Sequence, residues 1–218
     1  MHLVIGNKNY SSWSLRPWLL LSHFELDFTE TVESLRAQDL SQRLSIHSPS
    51  NRVPVLIDNE STIWDSLAIC EYVNEHYLHG KAWPADISAR AYARSISGEM
   101  HAGFSALRSA MPMNIRAQRR VDITAEVAKD LARIEQIFGR DRLKYSADGP
   151  WLAGEFSIAD CMYAPVVSRL GTYGMTLSND AEAYIGAVNA LPAMGNWIAA
   201  ALKETEIVPE DEAGEVLE

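Results

Sequence analysis

The sequence lacks the features that mark membrane, nucleic-acid-binding and disulfide-stabilised proteins. It has only two cysteines, Cys70 and Cys161, without metal-type spacing, so neither a disulfide framework nor a zinc site is expected. No hydrophobic run reaches membrane-spanning length, and the N-terminal MHLVIG is strand-like rather than leader-like. Basic residues number 19 against 29 acidic ones, which argues against a nucleic-acid partner. We expect a cytoplasmic protein without metal, membrane or nucleic-acid partners.

Hydrophobic residues, by contrast, are plentiful. They make up 47% of the 218 residues, enough to bury a core without metal or disulfide bonds. The acidic residues are unevenly spread, because seven of them and no basic residue follow Lys203. We predict that 205–218 is a frayed, solvated acidic tail, with a regulatory role as the alternative.

Hydrophobic periodicity in the first third of the chain alternates between strand and helix. Short apolar or alternating runs predict strands, and 3.6-residue spacing predicts helices between them. In chain order these segments are 3–6, 14–23, 27–33, 40–46, VPVLID, STIW and 66–77. The order predicts an α/β domain over 1–79, with one sheet covered by helices.

The rest of the chain is helical in pattern. The segment HGKAWP interrupts the alternation, so we predict a linker at 80–86 and an all-α domain over 87–204. Ser157 and Asp160 have the spacing of a helix capping box. The helical patterns cover 86–111, 119–145, 157–169, 179–190 and 192–203.

Three stretches carry a resemblance to a known family: SNRVPVLID, WDSLAICEYVNE and GPWLAGEFSIADCMYAPVV. With the helical second half, they resemble the cytosolic glutathione S-transferases over nearly the whole chain. The SSWS that follows the first strand is similar to the serine-using theta-like and zeta-like branches, of bacterial type. The resemblance implies a thioredoxin-like domain of order βαβαββα, an all-α C-terminal domain, a homodimer, glutathione as co-substrate and no metal.

The same resemblance implies a glutathione site built from five residues. Pro54 would be cis and would turn the backbone of Val53 toward the cysteinyl unit; from the residues alone, a trans proline at a strand edge is the alternative. Ser66 would cap the next helix and take the γ-glutamyl carboxylate, which the helix dipole favours. Asp65 would face the α-amino group. Arg52 would meet either the glycyl carboxylate or solvent.

The serines after the first strand are the candidates for thiol activation. A thiol of pKa near 8.5 is mostly protonated at neutral pH, and a hydroxyl donor or a helix N-terminus stabilises the thiolate. By resemblance Ser11 is the first choice and Ser12 the second, with Tyr10 behind both; a one-residue shift in the turn would exchange the serines. Trp13 stands where zeta-type isomerases have a cysteine, which favours thiolate addition over isomerisation or thiol transfer.

We expect the second substrate between the two domains, against the first long helix of the C-terminal half. The candidate lining residues are Tyr10, Trp13, His101, Phe104, Arg108 and Met111. An apolar stripe at helical spacing is equally typical of core. Arg108 would either aim into the cleft and bind an acidic substrate or form a salt bridge with a neighbouring helix.

The sequence therefore favours a glutathione S-transferase that adds glutathione to a small hydrophobic electrophile in detoxification. A glutathione-dependent, zeta-like isomerase or a dehalogenase is the alternative among enzymes. Outside the enzymes, a non-catalytic protein that binds glutathione or another ligand could have the same fold.

Overall fold

The N-terminal half is built on a four-stranded mixed sheet, seen in a computed structural model that describes residues 1–217. Its strands are β1 (His2–Gly6), β2 (Thr29–Glu33), β3 (Val55–Asp58) and β4 (Ser61–Trp64). Their order across the sheet is β2-β1-β3-β4, with β1 parallel to β2 and antiparallel to β3. Because β1 is an inner strand, its apolar residues Leu3, Val4 and Ile5 are fully buried.

Three helices complete this half and give the predicted order βαβαββα. They are α1 (Ser12–His23), α2 (Leu40–Ser45) and α3 (Ser66–His76). The thioredoxin-like fold is thus confirmed. The segment predicted as a linker, 80–86, lies between α3 and the next helix, and its Ala82 N–H donates to the side chain of Asn74.

The C-terminal half is mostly helical, as predicted. Its helices are α4 (Ile87–Ala102), α5 (Ser105–Ala110), α6 (Ala125–Gln136), α7 (Ile158–Thr172), α8 (Asn179–Asn189) and α9 (Pro192–Ala201). A π-helical turn and a 3-10 turn extend α6 through Asp148. At the start of α7, Ser157 and Asp160 form the predicted capping box. None of the helices in residues 1–217 is long and apolar enough to cross a membrane.

Two of the predicted helices differ from the structure. The pattern at 86–111 is broken between α4 and α5, where Phe104 adopts a left-handed φ of 57°. A side chain at Gly103 would lie 2.8 Å from the Glu99 carbonyl oxygen, so glycine permits the chain to turn sharply there. The pattern at 119–145 begins with a strand, β5 (Arg119–Arg120), which pairs with β6 (Glu215–Val216) near the C-terminus.

A continuous hydrophobic core joins the two halves. Helix α7 is buried along most of its length and packs against both α1 and α4. Trp18 of α1 packs edge to face on Trp197 of α9, with ring centres 5.1 Å apart. At the candidate site, the start of α1 meets the last turn of α7, where Arg169 contacts Ser12.

The prediction of a frayed acidic tail is wrong for the described part of this segment. The Glu206 carboxylate accepts hydrogen bonds from the Asn7 amide (2.7 Å) and the Ser34 hydroxyl, and the Glu212 carboxylate accepts from the Asn114 amide (2.9 Å). Arg116 donates to the carbonyl oxygens of Glu204 and Glu206. The donors come from distant parts of the chain, so the lack of basic residues nearby in sequence did not leave Glu206 and Glu212 in solvent, whereas Glu210 and Glu215 are exposed.

Candidate active site

Two adjoining cavities open between the N-terminal and C-terminal halves, and Trp13 and Val53 line both. Their volumes are about 460 and 450 Å³. The first is also lined by Ser50, Arg52, Pro54, Trp64, Asp65, Ser66 and His101. The second is also lined by Tyr10, Ser11, Ser12, Arg108, Arg169 and Asp211, among others. The five residues expected to contact glutathione therefore share one cavity, and both serines line the other.

The corner between β1 and α1 is closed by serine hydroxyls. The Ser11 hydroxyl donates to the Ser14 hydroxyl oxygen at 2.7 Å, and that oxygen also accepts from the Gly6 N–H at 3.1 Å. Ser11 occupies the N-cap position of α1, but its side chain makes no capping hydrogen bond. The hydroxyl proton of Ser11 is therefore engaged within the corner.

The neighbouring Ser12 is held differently. Its hydroxyl oxygen accepts a hydrogen bond from Nη2 of Arg169 at 3.2 Å, which leaves the hydroxyl proton available to another acceptor. Arg169 is itself fixed, since its Nε donates to the Met111 carbonyl oxygen at 2.8 Å. Burial, followed by repulsion from Arg108, lowers the pKa of Arg169 to about 10, so its guanidinium stays charged at neutral pH.

Trp13 lies between two guanidinium groups. The guanidinium carbons of Arg16 and Arg108 are 4.2 and 4.4 Å from its ring centre, a cation–π geometry. The ring of His101 meets Trp13 edge to face at 5.3 Å. Arg16 is buried, and its Nη1 lies 3.5 Å from the Ser66 hydroxyl oxygen. Burial, followed by repulsion from Arg108, lowers the pKa of Arg16 to about 9.

The Val53–Pro54 peptide bond is cis, as the resemblance implied. Strand β3 begins after it, with Val55 paired to Val4 of β1. The backbone groups of Val53 thus lie beyond the ladder and beside the first cavity. Arg52 also lines this cavity, with an exposed side chain.

Ser66 does not cap α3, contrary to prediction. Asp65 is the N-cap residue, and its Oδ1 accepts from the N–H groups of Leu67 (2.9 Å) and Ala68 (3.4 Å). Asp65 has a left-handed φ of 74°, which moves the cap one residue ahead of the serine. The other carboxylate oxygen lies 3.3 Å from Nε2 of His101.

Of the residues predicted to line the second-substrate pocket, Phe104 and Met111 lie in the core and line neither cavity. Phe104 packs edge to face on Tyr163, with ring centres 6.3 Å apart, and Met111 is fully buried. Arg108 does line the second cavity. Tyr10 lines it too, but the Tyr10 hydroxyl donates to the Glu212 carboxylate at 2.6 Å. Burial, followed by this hydrogen bond, raises the pKa of Tyr10.

Three charged residues of this region were not predicted from the sequence: Arg16, Arg169 and Asp211. A signal was present for the arginines. Arg16 interrupts an apolar run, WSLRPWLLL, and Arg169 stands in the otherwise largely apolar helix α7. A lone charge on the buried face of a helix needs a specific partner or ligand.

The remaining metal-type and thiol side chains of the described residues do not add to the candidate site. Residues 1–217 contain no group of three His, Cys, Asp or Glu side chains arranged to hold a metal ion. Cys70 and Cys161 are fully buried, and burial raises the pKa of both thiols.

Family models match both halves of the chain. Residues 10–76 match the model described as "Glutathione S-transferase, N-terminal domain", and residues 90–200 match "Glutathione S-transferase, C-terminal domain". A probable maleylacetoacetate isomerase from Caenorhabditis elegans is 25% identical over 168 residues, which cover 77% of this chain and 77% of that relative.

Solved structures share the fold over nearly the whole chain. A glutathione transferase homolog from Burkholderia GL BGR1, with bound glutathione, has a TM-score of 0.68 at 23% identity, covering 92% of this chain and 97% of the other. A theta class glutathione S-transferase from Xanthomonas axonopodis pv. citri, also with glutathione bound, has a TM-score of 0.69 at 17% identity, covering 93% and 98%.

Proposed function

This chain belongs to the glutathione S-transferase family, and from that premise we propose that it binds glutathione, holds the sulfur as a thiolate and adds it to a small electrophile. The observation that carries the proposal is the hydrogen bond from the buried Arg169 to Ser12, at the edge of a cavity that adjoins the glutathione-type pocket. A homodimer and a cytoplasmic role in detoxification are part of the same proposal.

The first cavity has the chemistry to bind glutathione. The start of α3 offers the Ser66 hydroxyl and a positive helix end to the γ-glutamyl carboxylate. The outer oxygen of Asp65 can accept from the α-amino group. The backbone of Val53 can pair with the cysteinyl unit as a strand would, and Arg52 can meet the glycyl carboxylate.

Two hydrogen bonds support Ser12, rather than Ser11, as the donor to sulfur. The Ser11 proton is directed to Ser14, whereas Ser12 accepts from Arg169 and keeps its proton. A hydroxyl polarised by a charged donor is itself a better donor. Arg169 and the N-terminus of α1 also favour negative charge beside Ser12, and lowering the thiol pKa by ~2 units requires about 2.7 kcal/mol.

Turnover with a simple electrophile tests the proposed function. Glutathione and chlorodinitrobenzene should give the thioether, identified by mass spectrometry, and Ser12→Ala should reduce kcat/KM by about a hundredfold or more, in line with the loss of one activating donor. Ser95→Ala, on the exposed face of α4, is the matched control.

Other products would support the alternatives. Isomerisation of a cis-enone without a thioether would support a glutathione-dependent isomerase. Glutathione binding by calorimetry, with no product from any electrophile, would support a binding protein and contradict the proposal.

A further inference from the structure

We infer that the second cavity takes an electrophile that carries a carboxylate, with Arg108 as its anchor, rather than a purely hydrophobic one. This inference refines the proposed function and rests on it. Arg108 lies on α5, the short helix that follows the break at Gly103 and Phe104.

Arg108 has a charge with no protein partner to balance it. Its guanidinium is half-buried against Trp13, and no hydrogen bond or ion pair joins its side chain to another of residues 1–217. Burial lowers the pKa of its guanidinium. An arginine has five N–H donors, and a planar carboxylate matches two of them at once.

Two other arginines of the protein show the usual pairing with a carboxylate. Arg133 donates to both carboxylate oxygens of Glu99, at 2.7 and 2.8 Å, and Arg43 lies 2.9 Å from Glu33. Arg108, in contrast, lines the second cavity and forms no ion pair with another of residues 1–217.

The charges around the second cavity leave room for an anion. Arg108 and Arg169 both line it, and their mutual repulsion contributes to the lowered pKa of Arg169. Asp211 lines the same cavity but forms no ion pair with either arginine, and burial raises the pKa of its carboxyl. A bound carboxylate would offset the repulsion, in a chain whose net charge is −10.

Glutathione itself is the competing source of a carboxylate. Both of its carboxylates have separate partners in the first cavity under the proposed function, at Ser66 and Arg52. Arg108 lines the second cavity and not the first, and its guanidinium carbon lies 4.4 Å from the ring centre of Trp13. The structure therefore assigns Arg108 to the second substrate.

The reaction of glutathione with such an electrophile needs no further reactant. With an aryl chloride, the thiolate sulfur forms a bond to the ring carbon, and the carbon–chlorine bond breaks with its electron pair leaving as chloride. The thiol proton passes to solvent. The carboxylate of the substrate is unchanged and serves to hold the reacting carbon beside Ser12.

Binding of two unreactive probes tests the inference without catalysis. The protein is loaded with S-methylglutathione and titrated by calorimetry with meta-nitrobenzoate and with its methyl ester. The acid should bind at least about tenfold more tightly than the ester, because a charge-assisted pair is lost in the ester. Arg108→Gln should remove this preference, and Arg108→Lys should retain part of it.

Arg94→Gln is the matched control. Arg94 also stacks on a tryptophan, Trp83, at 5.3 Å, but it is exposed and lines neither cavity. The control should keep the preference for the acid. Equal binding of acid and ester by the wild-type protein would overturn the inference, and this result needs no variant to fold.

Two further outcomes separate the inference from the proposed function. If Arg108→Gln weakens S-methylglutathione binding while the acid-to-ester ratio of affinities is unchanged, Arg108 serves glutathione and the inference is wrong.

Turnover of a reactive pair of substrates gives the second outcome. Para-chloro-meta-nitrobenzoate and its methyl ester both lose chloride, so they differ in the carboxylate and not in the leaving group. We predict that the acid-to-ester ratio of kcat/KM falls at least about tenfold in Arg108→Gln. If the wild-type protein turns over the ester and its kcat/KM is no higher for the acid, the proposed function is supported and the carboxylate anchor is contradicted.

Discussion

Asp65 and Ser66 divide two roles at the start of α3. Asp65 satisfies the exposed backbone N–H groups of the helix, and this leaves the Ser66 hydroxyl beside the first cavity. The division separates stability from binding, because the residue that caps the helix is not the one proposed to take the γ-glutamyl carboxylate.

We therefore expect Asp65→Ala to lower the free energy of unfolding by about 1 kcal/mol, through the loss of the cap, and by more than Ser66→Ala does. Ser66→Ala should instead weaken glutathione binding by about tenfold, since it removes a hydrogen bond to a charged group. Urea denaturation and calorimetry measure the two effects. A larger loss of stability in Ser66→Ala would contradict the capping assignment.

At this scale the sequence predicted which residues line the first cavity better than it predicted their contacts. The residues expected to bind glutathione lie in short local motifs, so their common cavity was predictable, and their binding of glutathione stays a prediction. The position of the cap was not, because it depends on the left-handed φ of Asp65. The partner of Ser12 was not either, because Arg169 lies 157 residues away in the chain.

The segment after α9 is the element whose environment differs most from expectation. Glu204 and Glu206 attach it to the loop that leads into α1, and Glu212 joins it to Tyr10. It lies beside the second cavity, where Asp211 forms part of the wall. Sequence could not reveal this, since the donors to its acids, such as the Asn7 amide and the Arg119 guanidinium, lie far away in the chain.

The attachment through Glu206 should depend on pH. The Ser34 hydroxyl and then the Asn7 amide hold the pKa of Glu206 below its ordinary value of 4.5, against the effect of burial. A carboxyl with a lowered native pKa stabilises the fold above the unfolded value and loses that contribution as the pH falls through the native one.

Glu206→Gln should therefore lower the free energy of unfolding by about 1 kcal/mol at neutral pH, and the difference from wild type should shrink below pH 4.5. Denaturant titrations at several pH values measure it. Glu60→Gln, in an exposed turn, is the control. A difference that stays constant, or grows as the pH falls, would show that the Glu206 carboxylate does not anchor the segment.

At the scale of the whole molecule, the two halves share one core. Trp197 donates from its indole N–H to the Lys8 carbonyl oxygen at 3.0 Å, and Asn9 donates to Asn114 at 2.8 Å, both in buried positions. Hydrophobic patterns predicted the two halves but not these contacts, because periodicity indicates which face of an element is buried and not what covers it.

The shared core predicts that the halves unfold together. Tryptophan fluorescence and far-ultraviolet circular dichroism should give coincident urea transitions, since tryptophans occur in both halves. Two separated transitions would show that the halves are independently stable and that their interface contributes little.

The central claim is that Ser12, supported by Arg169, holds glutathione as a thiolate. The most direct measurement is the ultraviolet absorbance of bound thiolate between about pH 5 and 9, in wild type, Ser11→Ala, Ser12→Ala and the control Ser95→Ala. We predict a wild-type thiol pKa ~2 units below the free value, kept in Ser11→Ala and the control and raised toward the free value in Ser12→Ala. A depression that Ser11→Ala abolishes and Ser12→Ala keeps would contradict the assignment, and no depression in the wild type would contradict thiolate activation altogether.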